Sequence, residues 1–195
     1  VSEPRLIVVG GGVRSGKSAF ALERARSLGT RRAFIATAQA FDAEMRERID
    51  RHVLERGREF ETHEVSLELT AALARVQADV VVVDCLTLWL SNLLLRDPAP
   101  SGAELDRSIS ALVAQIERRQ NHIIVVTNEV GMGVVPESAL GRLFRDWAGR
   151  AHQLLCANAD EIYLGALGCI LRLRPEPLAL VPGALPAADG GERLR

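Results

Sequence analysis

The chain has 195 residues, 48% of them apolar and 25% charged, enough hydrophobic material for one α/β domain and too much for a disordered chain. Its 24 basic and 25 acidic residues nearly cancel, and no long basic block is present. This argues against a general electrostatic grip on nucleic acid but leaves a small phosphorylated ligand open.

Short β-branched runs alternate with longer amphipathic segments, which predicts a mostly parallel sheet flanked by helices. The first strand, Leu6–Val9, runs into Gly11-Gly12-Val13-Arg14-Ser15-Gly16-Lys17-Ser18, with a helix expected from Lys17. That run fits G-x-x-x-x-G-K-[ST], the loop that wraps nucleotide phosphates, in the strand–loop–helix setting it requires. Glycines permit the tight turn that points successive N–H groups inward, and the positive end of the helix dipole faces the same anion. Lys17 is then placed to reach the β- and γ-phosphates, and the Ser18 hydroxyl to ligate Mg2+.

Further strands are expected at Ala33–Ala36, Val80–Asp84, Ile123–Thr127 and Glu161–Leu164, with an edge strand around Cys169–Leu173. Helices are expected to begin at Ala43, Leu67, Leu86, Ala103 and Ser138; Ser101 with Glu104 reads as a capping box for the helix that ends near Gln120. From Pro175 the chain turns rich in Pro and Gly, which predicts an extended tail (175–195) beyond a single catalytic domain (1–174). Cys85, Cys156 and Cys169 form no C-x-x-C pair, and no stretch reads as a signal peptide or membrane span. A cytoplasmic protein is expected.

Ligands of open α/β sheets gather at the carboxyl ends of the strands. There the sequence puts the phosphate loop, Thr37-Ala38-Gln39, Asp84-Cys85-Leu86-Thr87 and Asn128-Glu129-Val130-Gly131-Met132-Gly133, which are expected to meet. Asp84, closing Val80–Val83, suits either Mg2+ and nucleotide or the N-cap of the following helix. In the segment from Asp42 to Arg56, Met45, Ile49 and Val53 form an apolar stripe expected to face the body of the protein. Glu44, Arg48, His52 and Arg56 form a neighbouring stripe at i, i+4 spacing. Arginines one turn either side of His52 would favour its neutral, nucleophilic form and hold phosphate oxygens; a solvated charged face with an incidental histidine is the competing reading. His63, His122 and His152 read as structural.

The phosphate loop occurs with Ile35-Ala36-Thr37-Ala38, Asp42-x-Glu44-Met45-x-x-Arg48-Ile49-x-x-His52 and Asp84-Cys85-Leu86-Thr87-Leu88-Trp89. Asn128-Glu129-Val130-Gly131-Met132-Gly133-Val134-Val135-Pro136-Glu137 and Phe144-Arg145-Asp146-x-Ala148-Gly149 follow. This ordered set resembles the bifunctional adenosylcobinamide kinase / adenosylcobinamide-phosphate guanylyltransferase family over roughly residues 5 to 170. The resemblance implies a RecA-like P-loop fold, a homotrimer, and two reactions: phosphorylation of adenosylcobinamide by ATP or GTP, then transfer of GMP from GTP to the new phosphate. It implies that His52 carries GMP as a phosphoramidate, which fits covalent catalysis in two displacements. It further places nucleotide on Gly11, Gly12, Val13, Arg14, Ser15, Gly16, Lys17, Ser18, Thr37, Ala38, Gln39, Arg56, Glu64 and Asp84, and Mg2+ on Ser18 and Asp84. His152 stands where the family usually has Asn. Two other readings of the same residues are a P-loop kinase for another small alcohol and a nucleotide-binding regulatory module.

Overall fold

The computed structural model describes residues 3–40, 42–176 and 178–180; the side chains of Glu44, Arg48, Asp50, Arg51, Glu55 and Leu180 lie outside the description. The strands are β1 (Leu6–Gly11), β2 (Arg32–Ala36), β3 (Phe60–Glu64), β4 (Val80–Asp84), β5 (His122–Val126), β6 (Glu161–Ala166), β7 (Cys169–Arg174) and β8 (Ala179–Leu180). The helices are α1 (Lys17–Leu28), α2 (Ala43–Arg56), α3 (Leu69–Arg75), α4 (Leu86–Leu94), α5 (Gly102–Glu117) and α6 (Ala139–Ala157). All eight strands join one sheet in the order β3-β2-β4-β5-β1-β6-β7-β8. The first six in that order run parallel, and β7 and β8 close the edge antiparallel. The expected α/β architecture is therefore present.

Alternation along each strand builds two cores. Leu6, Val8, Ile35, Val81, Val83, Ile123 and Val125 point to one face, where α3, α4, α5 and α6 bring Leu73, Trp89, Leu90, Ile109, Ile116 and Leu155. Ile7, Val9, Phe34, Val80, Val82, Ile124 and Val126 point to the other, against Ala21, Leu22 and Ala25 of α1. Burial on both faces explains why Val80–Val83 is apolar at every position instead of alternating. Trp89 is sealed in by donating its indole N–H to the Leu67 carbonyl at 2.8 Å, within the bend that precedes α3; the helix starts at Leu69 and not Leu67. The Ser101–Glu104 capping box forms as expected, reciprocally, at the start of α5.

Two expectations are corrected. Phe60–Glu64 is a sixth parallel strand: only Phe60 is buried, so this edge strand carries little apolar signal. Within the expected tail, Ala179–Leu180 pairs with Leu171 and Arg172 as β8; residues 181–195 lie outside the described residues.

Away from the carboxyl ends of the strands, a charged network ties β1, α1 and β6 together. Glu161, only 5% exposed, accepts from Arg24 at 2.7 Å, from the Tyr163 hydroxyl at 2.7 Å and from Arg5 at 3.0 Å. His122 joins it from β5, its Nδ1 accepting the Arg5 backbone N–H at 3.2 Å. Burial pushes the Glu161 pKa up, but hydrogen bonds from Arg24 and Tyr163 and the Arg24 charge outweigh it, leaving the carboxyl below its ordinary 4.5. The unfolded chain therefore takes up the proton first, and this contribution to stability is complete above pH 4.5 and lost as the pH falls through the lower folded value. Glu161→Gln is expected to destabilise the fold by about 1–3 kcal/mol at neutral pH, and to flatten the acid limb of stability against pH. Urea unfolding at several pH values checks both.

Candidate active site

Gly16 caps α1 at φ 87°, a left-handed conformation that a side chain would resist, and Arg14 is left-handed at φ 55°. These turns wrap the loop around the N-terminus of α1, whose first N–H groups have no partner within the helix. Lys17 is buried and folds back, its Nζ donating to the Gly12 carbonyl at 2.9 Å, so the ammonium is held over the loop. The loop is held on the β5 side by the Glu129 N–H, which donates to the Gly11 carbonyl at 3.0 Å. On the β6 side the buried Ser15 side chain packs against Gly165.

The expected meeting of four strand ends is observed. A cleft open to solvent is lined by Val13, Lys17 and Ser18 after β1, Ala36 and Ala38 at the end of β2, Asp84, Cys85 and Leu88 at the end of β4, and Asn128 after β5. Asp84 does not cap α4: the N-cap is Cys85, without a side-chain cap bond, and the carboxylate faces the cleft instead. Ser18 and Asp84 thus supply oxygen donors to one cavity. No cluster of three or more His, Cys, Asp or Glu ligands exists among the described residues. That donor set fits Mg2+, which is commonly held by one or two protein oxygens together with phosphate and water, and it does not fit a protein-only metal cage.

Thr37 lies beneath the cleft and not in it. It is fully buried: its hydroxyl donates to the Cys85 carbonyl and accepts the Cys85 N–H, each at 2.8 Å, while its carbonyl accepts from Asn92 at 2.8 Å. It pins the end of β4 so that Asp84 keeps its direction. Burial, with the Asp84 charge acting in the same sense, pushes the Cys85 thiol up to about 11, so it stays protonated despite lining the cavity. Gln39 is half-buried and Glu64 exposed; neither lines the cavity.

The remaining wall is α2. Met45, Ile49, His52 and Arg56 line the cleft, spaced i, i+4, i+7 and i+11, which is one helical face. Sequence periodicity divided these residues between an apolar and a charged stripe. The structure instead merges them and leaves Val53 44% exposed, because the cleft needs both apolar walls and polar tips. His52, half-buried, stands in the cleft wall; the expected contributions of Glu44 and Arg48 lie outside the described side chains. Arg56 is 6% exposed, with its guanidinium carbon 4.5 Å from the Phe34 ring centroid. Burial lowers its pKa, and the Glu64 and Asp84 carboxylates oppose that, keeping a cation inside the cavity wall.

His63 is on edge strand β3, away from the cleft, and His122 opens β5 at the opposite end of the sheet. His152 is a half-buried brace: its Nε2 lies 2.7 Å from the Thr127 hydroxyl and its Nδ1 4.0 Å from Glu129, and partial burial holds its pKa below 6.5 against the pull of Glu129. Phe34 and Gly165 were missed from the sequence. Phe34 looks like any strand aromatic, whereas a glycine inside the Glu161–Ala166 strand is a recognised sign of close backbone approach.

The chain matches the family model described as cobinamide kinase / cobinamide phosphate guanyltransferase over residues 7–173. It is 41% identical over 171 residues to the bifunctional adenosylcobalamin biosynthesis protein CobP of Pseudomonas aeruginosa, covering 86% of this chain and 96% of that one. It is 37% identical over 181 residues to the bifunctional adenosylcobalamin biosynthesis protein CobU of Salmonella typhimurium, covering 87% and 99%. Among solved structures, an ATPase domain shares the fold at a TM-score of 0.54 with 11% identity, covering 92% of this chain and 81% of the other. A Pyrococcus horikoshii OT3 protein does so at 0.51 with 8% identity, covering 88% and 87%. By the extent of the model match and the identity to these relatives, the chain belongs to the cobinamide kinase / cobinamide phosphate guanyltransferase family.

Proposed function

We propose that this chain is a bifunctional enzyme of adenosylcobalamin biosynthesis that phosphorylates adenosylcobinamide and then converts the product, adenosylcobinamide phosphate, to adenosyl-GDP-cobinamide. Family membership supports the pair of reactions. The observation that carries the mechanism is the presence of His52 in the same cavity as Lys17, Ser18 and Asp84.

In the kinase step the substrate hydroxyl attacks the γ-phosphorus of ATP or GTP. A P–O bond forms, the hydroxyl proton leaves, and the nucleoside diphosphate departs. The loop amides and Lys17 hold the transferring group and spread its charge. In the guanylyl step an imidazole nitrogen of His52 attacks the α-phosphorus of GTP; a P–N bond forms as the α–β bridging P–O bond breaks and pyrophosphate leaves. A phosphate oxygen of adenosylcobinamide phosphate then attacks the same phosphorus, the P–N bond breaks, and His52 is regenerated. A histidine nucleophile is suited to this, because it splits one displacement into two and is restored unchanged. Arg56 supplies a cation in the wall one turn beyond His52. In this reading Ala38 contributes to the nucleotide surface, Gln39 and Glu64 act from outside the cavity wall, and Thr37 supports it from below. Ser18 and Asp84 would hold Mg2+, which would neutralise phosphate charge.

A homotrimer fits the exposed apolar residues Met132, Val134, Val135, Leu140 and Leu143, which cluster along the loop before α6 and its first turns. A cytoplasmic setting fits three free cysteines. No described helix is long and apolar enough to cross a membrane. The near-zero net charge fits small phosphorylated substrates and not nucleic acid.

Incubation with GTP labelled at the α-phosphate is expected to place an acid-labile label on the protein, and His52→Ala is expected to abolish it while nucleotide binding persists. Label that survives the substitution would sink the covalent mechanism. Lys17→Met is expected to weaken nucleotide binding by about 10- to 100-fold through loss of charged hydrogen bonds, seen in both reactions by titration and steady-state kinetics. Asp84→Asn is expected to shift the Mg2+ dependence of both rates to higher concentration, with little change in thermal unfolding midpoint.

A further inference from the structure

Gly165 lies in β6, directly opposite Gly11 in the β1–β6 ladder, at the point where the phosphate loop leaves the sheet. Its backbone is not in the left-handed region occupied by Gly11, Gly16, Gly57 and Gly168, so conformation does not require a glycine there. Space does. A methyl group on Gly165 would stand 2.7 Å from the Ser15 hydroxyl oxygen, 3.1 Å from the Ser15 β-carbon and 3.1 Å from the Ser15 carbonyl oxygen. The reciprocal approach is as close: a methyl group on Gly11 would stand 2.4 Å from the Gly165 carbonyl oxygen. Ser15 is 5% exposed, and its buried hydroxyl has no hydrogen-bond partner among the described residues, so its fit against β6 rests on shape.

We infer that Gly165 is a positioning residue for the reaction: the bare backbone of β6 is the seat on which Ser15 rests, and it sets the height of the phosphate loop above the sheet. Two residues after Ser15, the chain delivers Lys17 and then Ser18 to the cleft. On the opposite side the Glu129 N–H holds the Gly11 carbonyl, so the loop is clamped from β5 and cannot tilt to relieve a push from β6 without breaking that bond. A methyl group at Gly165 therefore pushes the Ser15 β-carbon and carbonyl by a few tenths of an ångström, and with them the amides that receive the β- and γ-phosphates; a preorganised site is sensitive to such a shift. Gly165 touches no substrate; it acts through Ser15.

This inference rests on the nucleotide reading above, and the test separates the two. GTP and GMP binding are measured by calorimetry on the full chain. Gly165→Ala is expected to weaken GTP by about tenfold or more, with GMP changed by less than about threefold, because only the triphosphate uses the displaced part of the loop. In the Ser15→Gly background, which removes the obstructing side chain, adding Gly165→Ala is expected to cost less than about threefold in GTP affinity. Gly10→Ala, whose added methyl meets nothing closer than 3.8 Å, is expected to bind GTP as the parent does. Wild-type GTP affinity in Gly165→Ala, equal losses in the two Ser15 backgrounds, or parallel losses of GTP and GMP would each overturn the inference. If Gly165→Ala does not fold, a folded Ser15→Gly/Gly165→Ala double variant binding like Ser15→Gly upholds it, and a double variant that also fails to fold overturns it. Absence of GTP binding by the parent chain would instead overturn the nucleotide reading.

Discussion

Parallel pairing of β1 between β5 and β6 is the constraint on which the site depends. Val9 pairs with Val126 on one side and Tyr163 on the other; beyond it β6 alone continues the ladder to Gly11, opposite Gly165, while the Glu129 N–H holds the Gly11 carbonyl from the β5 side. A loop with positive φ at Gly11, Arg14 and Gly16 is held in place by surrounding contacts. Here those contacts are the Glu129 bond to Gly11, the packing of Ser15 on β6 and the fold-back of Lys17 onto Gly12. The same ladder places β5 between β1 and β4, which sets Asp84 two strands away from the loop, across the cleft that both line.

The helix α2 gives the cleft beside the phosphate loop a wall of mixed chemistry. Its cleft face carries a thioether, an aliphatic side chain, an imidazole and a guanidinium in four successive turns, and that mixture belongs to no simple amphipathic pattern. Apolar Met45 and Ile49 reduce the water near the cavity, so the charges on Lys17, Asp84 and Arg56 act more strongly on a bound anion. Arg56 is kept charged inside the wall by stacking on Phe34 and by the opposing carboxylates of Glu64 and Asp84, an arrangement that spans β2, β3 and β4. The edge strand β3 therefore contributes to the electrostatics of the site although it supplies no side chain to the cavity wall.

Stability and chemistry are separated along the sheet. The Glu161 network and His122 sit near the strand starts, and the cleft at the strand ends, so each cluster of buried charge is satisfied without competing for the same partners. His152 occupies an intermediate position, bracing Thr127 and Glu129 behind the loop.

The sequence by itself determined the features whose causes are local: the phosphate loop, whose backbone requirements are written in Gly16 and Lys17; the two-faced strands; the capping box at Ser101; and the family, through an ordered set of motifs. Edge strand β3 was invisible because one buried residue in five carries no periodic signal. The face that α2 presents, the support given by Thr37 and the seat provided by Gly165 were decided only by the tertiary structure. Each depends on a partner far away in sequence: Thr37 on Cys85, Arg56 on Phe34, Gly165 on Ser15. Local propensity fixes which turns and helices a segment can form, whereas long-range packing chooses which of its side chains reach the cavity.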